Sequence, residues 1–307
     1  MAGSLHRPRA LPAPCGRRVL KPPDMRGLAC ALLLMMFVEL PTAVDARVPI
    51  ASPIPSANDA SSSSVKPTST QVPVLYVIAV YTVVLFGFWT IPIARRIIVP
   101  LKLFAIGWHE CCHALLAVLT GGSILRISID PFLGGCTIVE GGYPSLILPA
   151  GYLGSTFFGA AFLLAGFDTL MAKVMSFIAA IGLLAPLAQV RDKITILLTI
   201  FYEALLIGFW FIDHGEALRW YMLLLGVLHI FFAVWDVTDE RIFRKPNDSD
   251  CTQWALLVPS VPSHVWAIFW ITFEVAVLIA FVLVGIVAFK LTPEELQAQA
   301  DTFLPTR

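Results

Sequence analysis

Charged residues are scarce in this chain of 307 residues, at 14%, where a soluble domain carries about 25%. That shortage excludes an ordinary water-soluble globule. So does an apolar content of 58% with a mean hydropathy of +0.81. A surplus of charge of either sign is also missing: 21 Lys and Arg face 21 Asp and Glu. A balanced chain of this kind offers no nucleic-acid partner. Histidine is limited to six residues, and so is cysteine. The cysteine spacing fits neither a disulfide framework nor a Cys-type zinc site. Cys111 and Cys112 form a vicinal pair that reads as small apolar packing. What remains is an all-α polytopic membrane protein, integral and multi-pass, whose immediate partner is the lipid bilayer.

Residues 1–46 read as a disordered, Pro- and Arg-rich N-terminus followed by a signal peptide. The basic flank, the apolar run over 28–38 and Ala46 at its exit carry that expectation. Residues 47–73 are a linker rich in Ser, Thr and Pro. Residues 74–290 form the membrane-embedded domain, and 291–307 a short polar tail. Apolar runs over 74–93, 97–119, 145–167, 174–190, 194–212, 220–237 and 265–289 predict about six to seven transmembrane helices. Arg95 and Arg96 place the end of the first span in the cytosol. Arg191, Lys193, Arg241, Arg244 and Lys245 then fall on the opposite side. An endomembrane or plasma-membrane location follows.

Within the second run stands Gly107-Trp108-His109-Glu110-Cys111-Cys112-His113-Ala114. Residues four apart share a helix face, so His109 and His113 can grip one Zn²⁺ from the same side. Glu110 can then serve as general base towards a metal-bound water. A metal lowers the pKa of such a water from about 15.7 to about 7. The bland alternative is a polar patch buried between helices. Ionisable groups inside a bilayer are costly, however, and mark functional sites by default.

Residues 123–142 break the helical pattern. Alternation from Ile124 to Asp130, with Pro131 and Gly134-Gly135 as the turn, predicts a small β-hairpin after the metal-binding helix. Its strand either pairs with an unwound substrate segment by edge addition or merely caps the bundle. The third run carries Leu148-Pro149-Ala150-Gly151 and Gly159-Ala160-Ala161, small residues that let helices approach closely. Glu203 and Glu274 are lone acids in apolar runs, read as helix–helix hydrogen bonds. His214 and His264 read as solvated, and His229 as neighbouring the metal or simply packed.

A catalytic zinc needs a third protein ligand. The sixth run ends in three acids, Asp236, Asp239 and Glu240. Three spans separate it from the metal-binding run, so the two run in the same direction and their depths match. Asp236 is the expected ligand, with Asp239 as its substitute. The alternative is a solvated acidic cluster balancing Arg241, Arg244 and Lys245.

Several segments together resemble the site-2 protease family of intramembrane zinc metalloproteases, in its compact peptidase M50B-like branch. They are His109-Glu110-Cys111-Cys112-His113 with Leu119-Thr120-Gly121-Gly122, Leu148-Pro149-Ala150-Gly151-Tyr152-Leu153-Gly154-Ser155, Gly208-Phe209-Trp210-Phe211-Ile212, Val234-Trp235-Asp236-Val237 and Ser249-Asp250. The resemblance implies an endopeptidase with Zn²⁺ as cofactor and a membrane-protein substrate cut within or near its membrane helix. It implies ligation by His109, His113 and an acid matching Asp236, with Glu110 activating water. The chain departs from the broader family in having no Asn or Pro before Asp236 within the span, and Val237 where that family has Gly. A non-catalytic scaffold, or a transporter-like protein retaining a structural metal site, is the competing class. Asn247-Asp248-Ser249 is an N-glycosylation sequon, and Cys136 and Cys251 could pair if their side is lumenal.

Overall fold

The computed structural model describes residues 65–303, Pro246 excepted. The expected signal peptide and most of the expected linker lie outside the described residues. Helix α1 covers Val72–Thr90, and a short α2, Pro92–Ile97, leads into α3, Val99–Leu119. Strands β1, Ser123–Asp130, and β2, Gly134–Glu140, follow. Then come α4 (Pro144–Ala165), α5 (Thr169–Leu184), α6 (Lys193–Phe209), α7 (Ala217–Ile230) and α8 (Phe232–Arg241). Helices α9 (Asp250–Leu257), α10 (Ser263–Ala288) and α11 (Pro293–Thr302) complete the order.

Among the described residues, five helices are long and apolar enough to cross a membrane, and α7 with α8 adds a sixth span bent by 57°. The expected span over 194–212 is the 17-residue α6. The faces turned outward are apolar: Tyr76, Val83, Leu197, Ile268 and Ile279 are exposed. The ionisable groups point inward, with Lys102, His109, Glu110, His113, Asp236, Asp239 and Glu274 all buried. This inversion is what a lipid solvent demands, and the protein is a multi-pass integral membrane protein.

Small residues on α4 set the close packing. Gly151, Ser155 and Gly159 are spaced by four and share one face. A Cβ on Gly159 would stand 2.5 Å from the Ile230 amide nitrogen, and one on Gly226 would stand 2.7 Å from that of Leu163. Helices α4 and α7 therefore meet backbone to backbone, as small residues permit in membranes. The expected hairpin is present, antiparallel, running from Ser123↔Glu140 to Asp130↔Gly134 with an irregularity between Ile124 and Arg126. Its turn is fixed by Asp130 Oδ1, which accepts from the Phe132 and Leu133 amides at 2.8 and 2.9 Å. Gly134 follows at φ +84°, a conformation that suits glycine.

The break between α7 and α8 falls at Phe231, with φ −87° and ψ 32°. A helix that restarts inside the bundle exposes its first amides to an apolar interior. Glu274 of α10 resolves this, since its Oε1 accepts from the Ala233 amide at 2.6 Å. The lone acid in the last apolar run thus acts as a helix cap delivered from 41 residues away. Arg95 Nη2 lies 2.6 Å from Asp239 Oδ1. Arg95 therefore meets the acidic end of α8 directly, although the charge pattern predicts Arg95 and Arg241 on opposite sides. The bend at Phe231 turns α8 away from a straight crossing.

Replacing Glu274 with Leu should leave the Ala233 amide buried without an acceptor, at a cost of about 1–3 kcal/mol. Denaturant unfolding in detergent micelles measures it. An unchanged midpoint would show that the cap does not hold the bend.

Candidate metal centre

Helix α3 presents His109 and His113 one turn apart on its buried face, as the four-residue spacing requires. Their Nε2 atoms stand 2.9 Å apart. Asp250 Oδ2 lies 3.1 Å from each of them. Three acceptor atoms thus form a nearly equilateral triangle, the one His/Cys/Asp/Glu group among the described residues close enough to share a metal ion. Ligands about 2.0–2.1 Å from a tetrahedral centre stand roughly 3.3 Å apart, so the triangle is close to the size that zinc requires.

The protonation of the triangle is constrained. The Nδ1 of His113 is 2.8 Å from the Ile147 carbonyl oxygen, which can only accept. That nitrogen therefore carries the proton, and a neutral His113 turns a lone pair into the triangle. A neutral His109 can bring at most one proton. At least two lone pairs consequently face one another across about 3 Å in a buried site. A cation at the centre converts that repulsion into ligation, and two imidazoles with one carboxylate are a donor set that suits Zn²⁺.

Neighbouring segments leave space only for this arrangement. A Cβ on Gly151 would lie 2.4 Å from both His113 Nε2 and His109 Cε1. The Phe232 ring stacks on His109 with centroids 4.2 Å apart, which fixes the plane of an imidazole whose Nδ1 has no hydrogen-bond partner among the described residues. Glu110, the next residue of α3, lies against β2. A cavity of about 880 Å³ joins His109, Glu110, His113 and Asp250 with residues 134–139 of the hairpin, Lys245 and Asn247.

The two acids expected as third ligand are engaged elsewhere. Asp236 accepts from the Tyr152 hydroxyl at 2.7 Å and from the Asp250 amide at 3.2 Å, and pairs with Lys245. Burial alone would push the Lys245 ammonium down, but the Asp236 carboxylate outweighs it and the pKa is raised. Lys245 therefore stays cationic and consumes the charge of Asp236. Asp239 pairs with Lys102 and Arg95 and accepts from the Trp89 indole at 3.0 Å. The structure brings Asp250 to the imidazole pair in place of Asp236 and Asp239. Asp250 is the first residue of α9, beyond the apolar run, where a depth argument could not find it. The one signal was the Ser249-Asp250 pair among the segments that carry the resemblance.

The remaining titratable residues fall outside the centre. His229 donates its Nδ1–H to the Leu225 carbonyl oxygen, 2.8 Å away, and is packed among Phe104, Phe158 and Phe162. His264 is exposed, and His214 is partly exposed, with its Nδ1 3.6 Å from Asp301 Oδ1. Cys136 and Cys251 are not joined in the disulfide the sequence allowed. Asn247 turns its amide to the Gly135 carbonyl at 3.0 Å, a half-buried position that a glycan would disrupt.

A family model described as Peptidase M50B-like matches residues 77–281. No curated protein and no solved structure matches the chain.

Peptide mapping under non-reducing conditions should recover Cys136 and Cys251 unlinked and Asn247 unmodified. Burial pushes the Cys251 thiol up to about 12, so at neutral pH it should alkylate only after unfolding. A peptide joining the two cysteines would contradict the arrangement.

Proposed function

The chain belongs to the Peptidase M50B-like family, whose members are intramembrane metallopeptidases, and from that premise and the geometry of the site we propose that it is a zinc endopeptidase cutting membrane-spanning substrates. The observation that carries the reading is the triangle of His109 Nε2, His113 Nε2 and Asp250 Oδ2 beside a glutamate in one cavity. His109, His113 and Asp250 would hold the ion. When bound, zinc supplies a Lewis acid that polarises the scissile carbonyl and acidifies water.

Each protein group has a definable task. Glu110 follows a ligand directly and lines the cavity, where it takes the proton of the attacking water and returns it to the leaving amine. The balance is that of amide hydrolysis: the hydroxyl joins the acyl carbon, the C–N bond breaks and the amine gains the proton. The Ile147 carbonyl keeps His113 in one tautomer. Asp236 accepts from the Asp250 amide and so fixes the start of α9. Among the described residues strand β2 pairs with β1 alone, its second edge carries no strand, only the Asn247 side chain at the Gly135 carbonyl, and its residues 134–139 line the cavity. An unwound segment of a membrane helix can satisfy its own backbone there by adding as a strand.

Purified protein should hold one zinc per chain by elemental analysis, and Asp250→Ala should lose it. Asp236→Asn, which weakens the support of a ligand, should reduce zinc affinity about 10–100-fold. Glu110→Gln should keep zinc and abolish cleavage of fluorescein-labelled casein in micelles. A Glu110→Gln protein that cleaves as well as the parent would remove the peptidase reading and leave a metal-bearing scaffold or transporter.

A further inference from the structure

Glu110 has a flexible side chain, yet a general base must be held within a fraction of an ångström of the proton it takes. Its Oε2 accepts from the Thr137 hydroxyl at 2.6 Å. The same hydroxyl is 3.3 Å from the Glu110 backbone carbonyl. Thr137 is on β2, the strand whose residues 134–139 face the cavity. On the other side of the carboxylate lies Gly135, where a Cβ would meet Oε1 at 2.1 Å. The base is therefore gripped between a hydroxyl and a bare backbone on one strand, two residues apart and on the same face. Nothing in α3 itself supplies either contact.

Resting on the peptidase reading above, we propose that Thr137 is a positioning residue for Glu110, and that through it the strand facing the substrate holds the general base in its working geometry. Residues i and i+2 of a strand share one face, so a segment that pairs with the outer edge of β2 in place of the Asn247 contact bears on Thr137 and Gly135 at once. Of the other charged groups around the cavity, Lys102 pairs with Asp239 and Lys245 with Asp236, Asp250 faces the imidazoles, and Asp248 accepts from the Gln253 side chain. Thr137 is the side chain that donates to the Glu110 carboxylate. Thr137 makes no bond to the metal triangle, so its loss should not release zinc.

The test uses the full-length, zinc-loaded protein in micelles with two readouts. The first is the kinetics of cleavage of fluorescein-labelled casein. Thr137→Val keeps shape and removes the hydroxyl, and should lower kcat about 10–100-fold with KM within about twofold and zinc content unchanged. Thr137→Ser should recover most of the loss. Gly135→Ala, which pushes on Oε1 from the other side, should lower kcat in the same way. The second readout is labelling of Glu110 by a water-soluble carbodiimide, followed by mass spectrometry. It should rise several-fold in Thr137→Val and Gly135→Ala, because the released carboxylate turns into the cavity. Unchanged labelling in both variants, or unchanged kcat in both, overturns the proposal. A parent protein inert towards casein counts against the peptidase reading alone, and labelling then decides the role of Thr137.

Discussion

A charge carried into the lipid slab must be matched where it stands, and the interior of this bundle is arranged by that constraint. Each buried acid has an answer. Glu274 faces the amide end of a helix. Asp239 faces Lys102, Arg95 and an indole N–H. Asp236 faces Lys245, a tyrosine hydroxyl and an amide. Glu110 accepts from Thr137. Asp250 alone turns its Oδ2 to two imidazole nitrogens, one of which has its proton committed to the far side of its ring. That convergence of two imidazoles and one carboxylate sets this acid apart from the others.

Packing and chemistry use the same residues here. Gly151 lets α4 close on the imidazole pair, Gly154 accommodates Cys112, and Gly159 lets α7 cross. The first contact sizes the metal triangle; the third brings α7 to the point where it breaks and restarts as α8. Once α8 is redirected, Phe232 lies on His109 and Asp236 lies under Asp250. A larger residue at any of these glycines would act on the ligands through helix spacing, with no contact to metal or substrate. In a bilayer no hydrophobic force draws helices together, so close backbone approach supplies much of the association.

The parts of this design that a sequence shows are those written in local spacing. The four-residue separation of His109 and His113 survives folding because α3 is regular around them. The hairpin was legible from alternation and glycine for the same reason. The third acid was not. The expectation of Asp236 assumed a straight span crossing at constant depth, whereas the span bends by 57° at Phe231. Neither proline nor glycine marks that bend. The amide freed there is capped by Glu274, which arrives from another helix 41 residues on, and no local pattern announces such a contact. Asp250 was hidden by the complementary assumption that a ligand must come from an apolar run. It reaches the site because Ser249 starts a new helix beyond the membrane-exit cluster, accepting from the Thr252 amide.

A ligand delivered by a connecting segment needs that segment held, and the stretch from α8 to α9 is fastened at successive points. Lys245 is tied to Asp236, Asn247 to the Gly135 carbonyl, and Ser249 donates its amide to Glu240 at 3.0 Å. Two of these attachments have consequences beyond rigidity. Asp236 belongs to the bent helix, so the position of Asp250 depends on the same bend that sets Phe232 against His109. Gly135 belongs to the strand that contacts Glu110, so the segment bearing Asp250 and that strand lean on one another. The Asp250 segment, the Glu110 side chain and the outer edge of β2 are thus tied together across three pieces of chain. The balance of that unit depends on hydrogen bonds that a peptide strand entering the cavity would compete for, since Asn247 occupies a carbonyl on the very edge that such a strand would pair with.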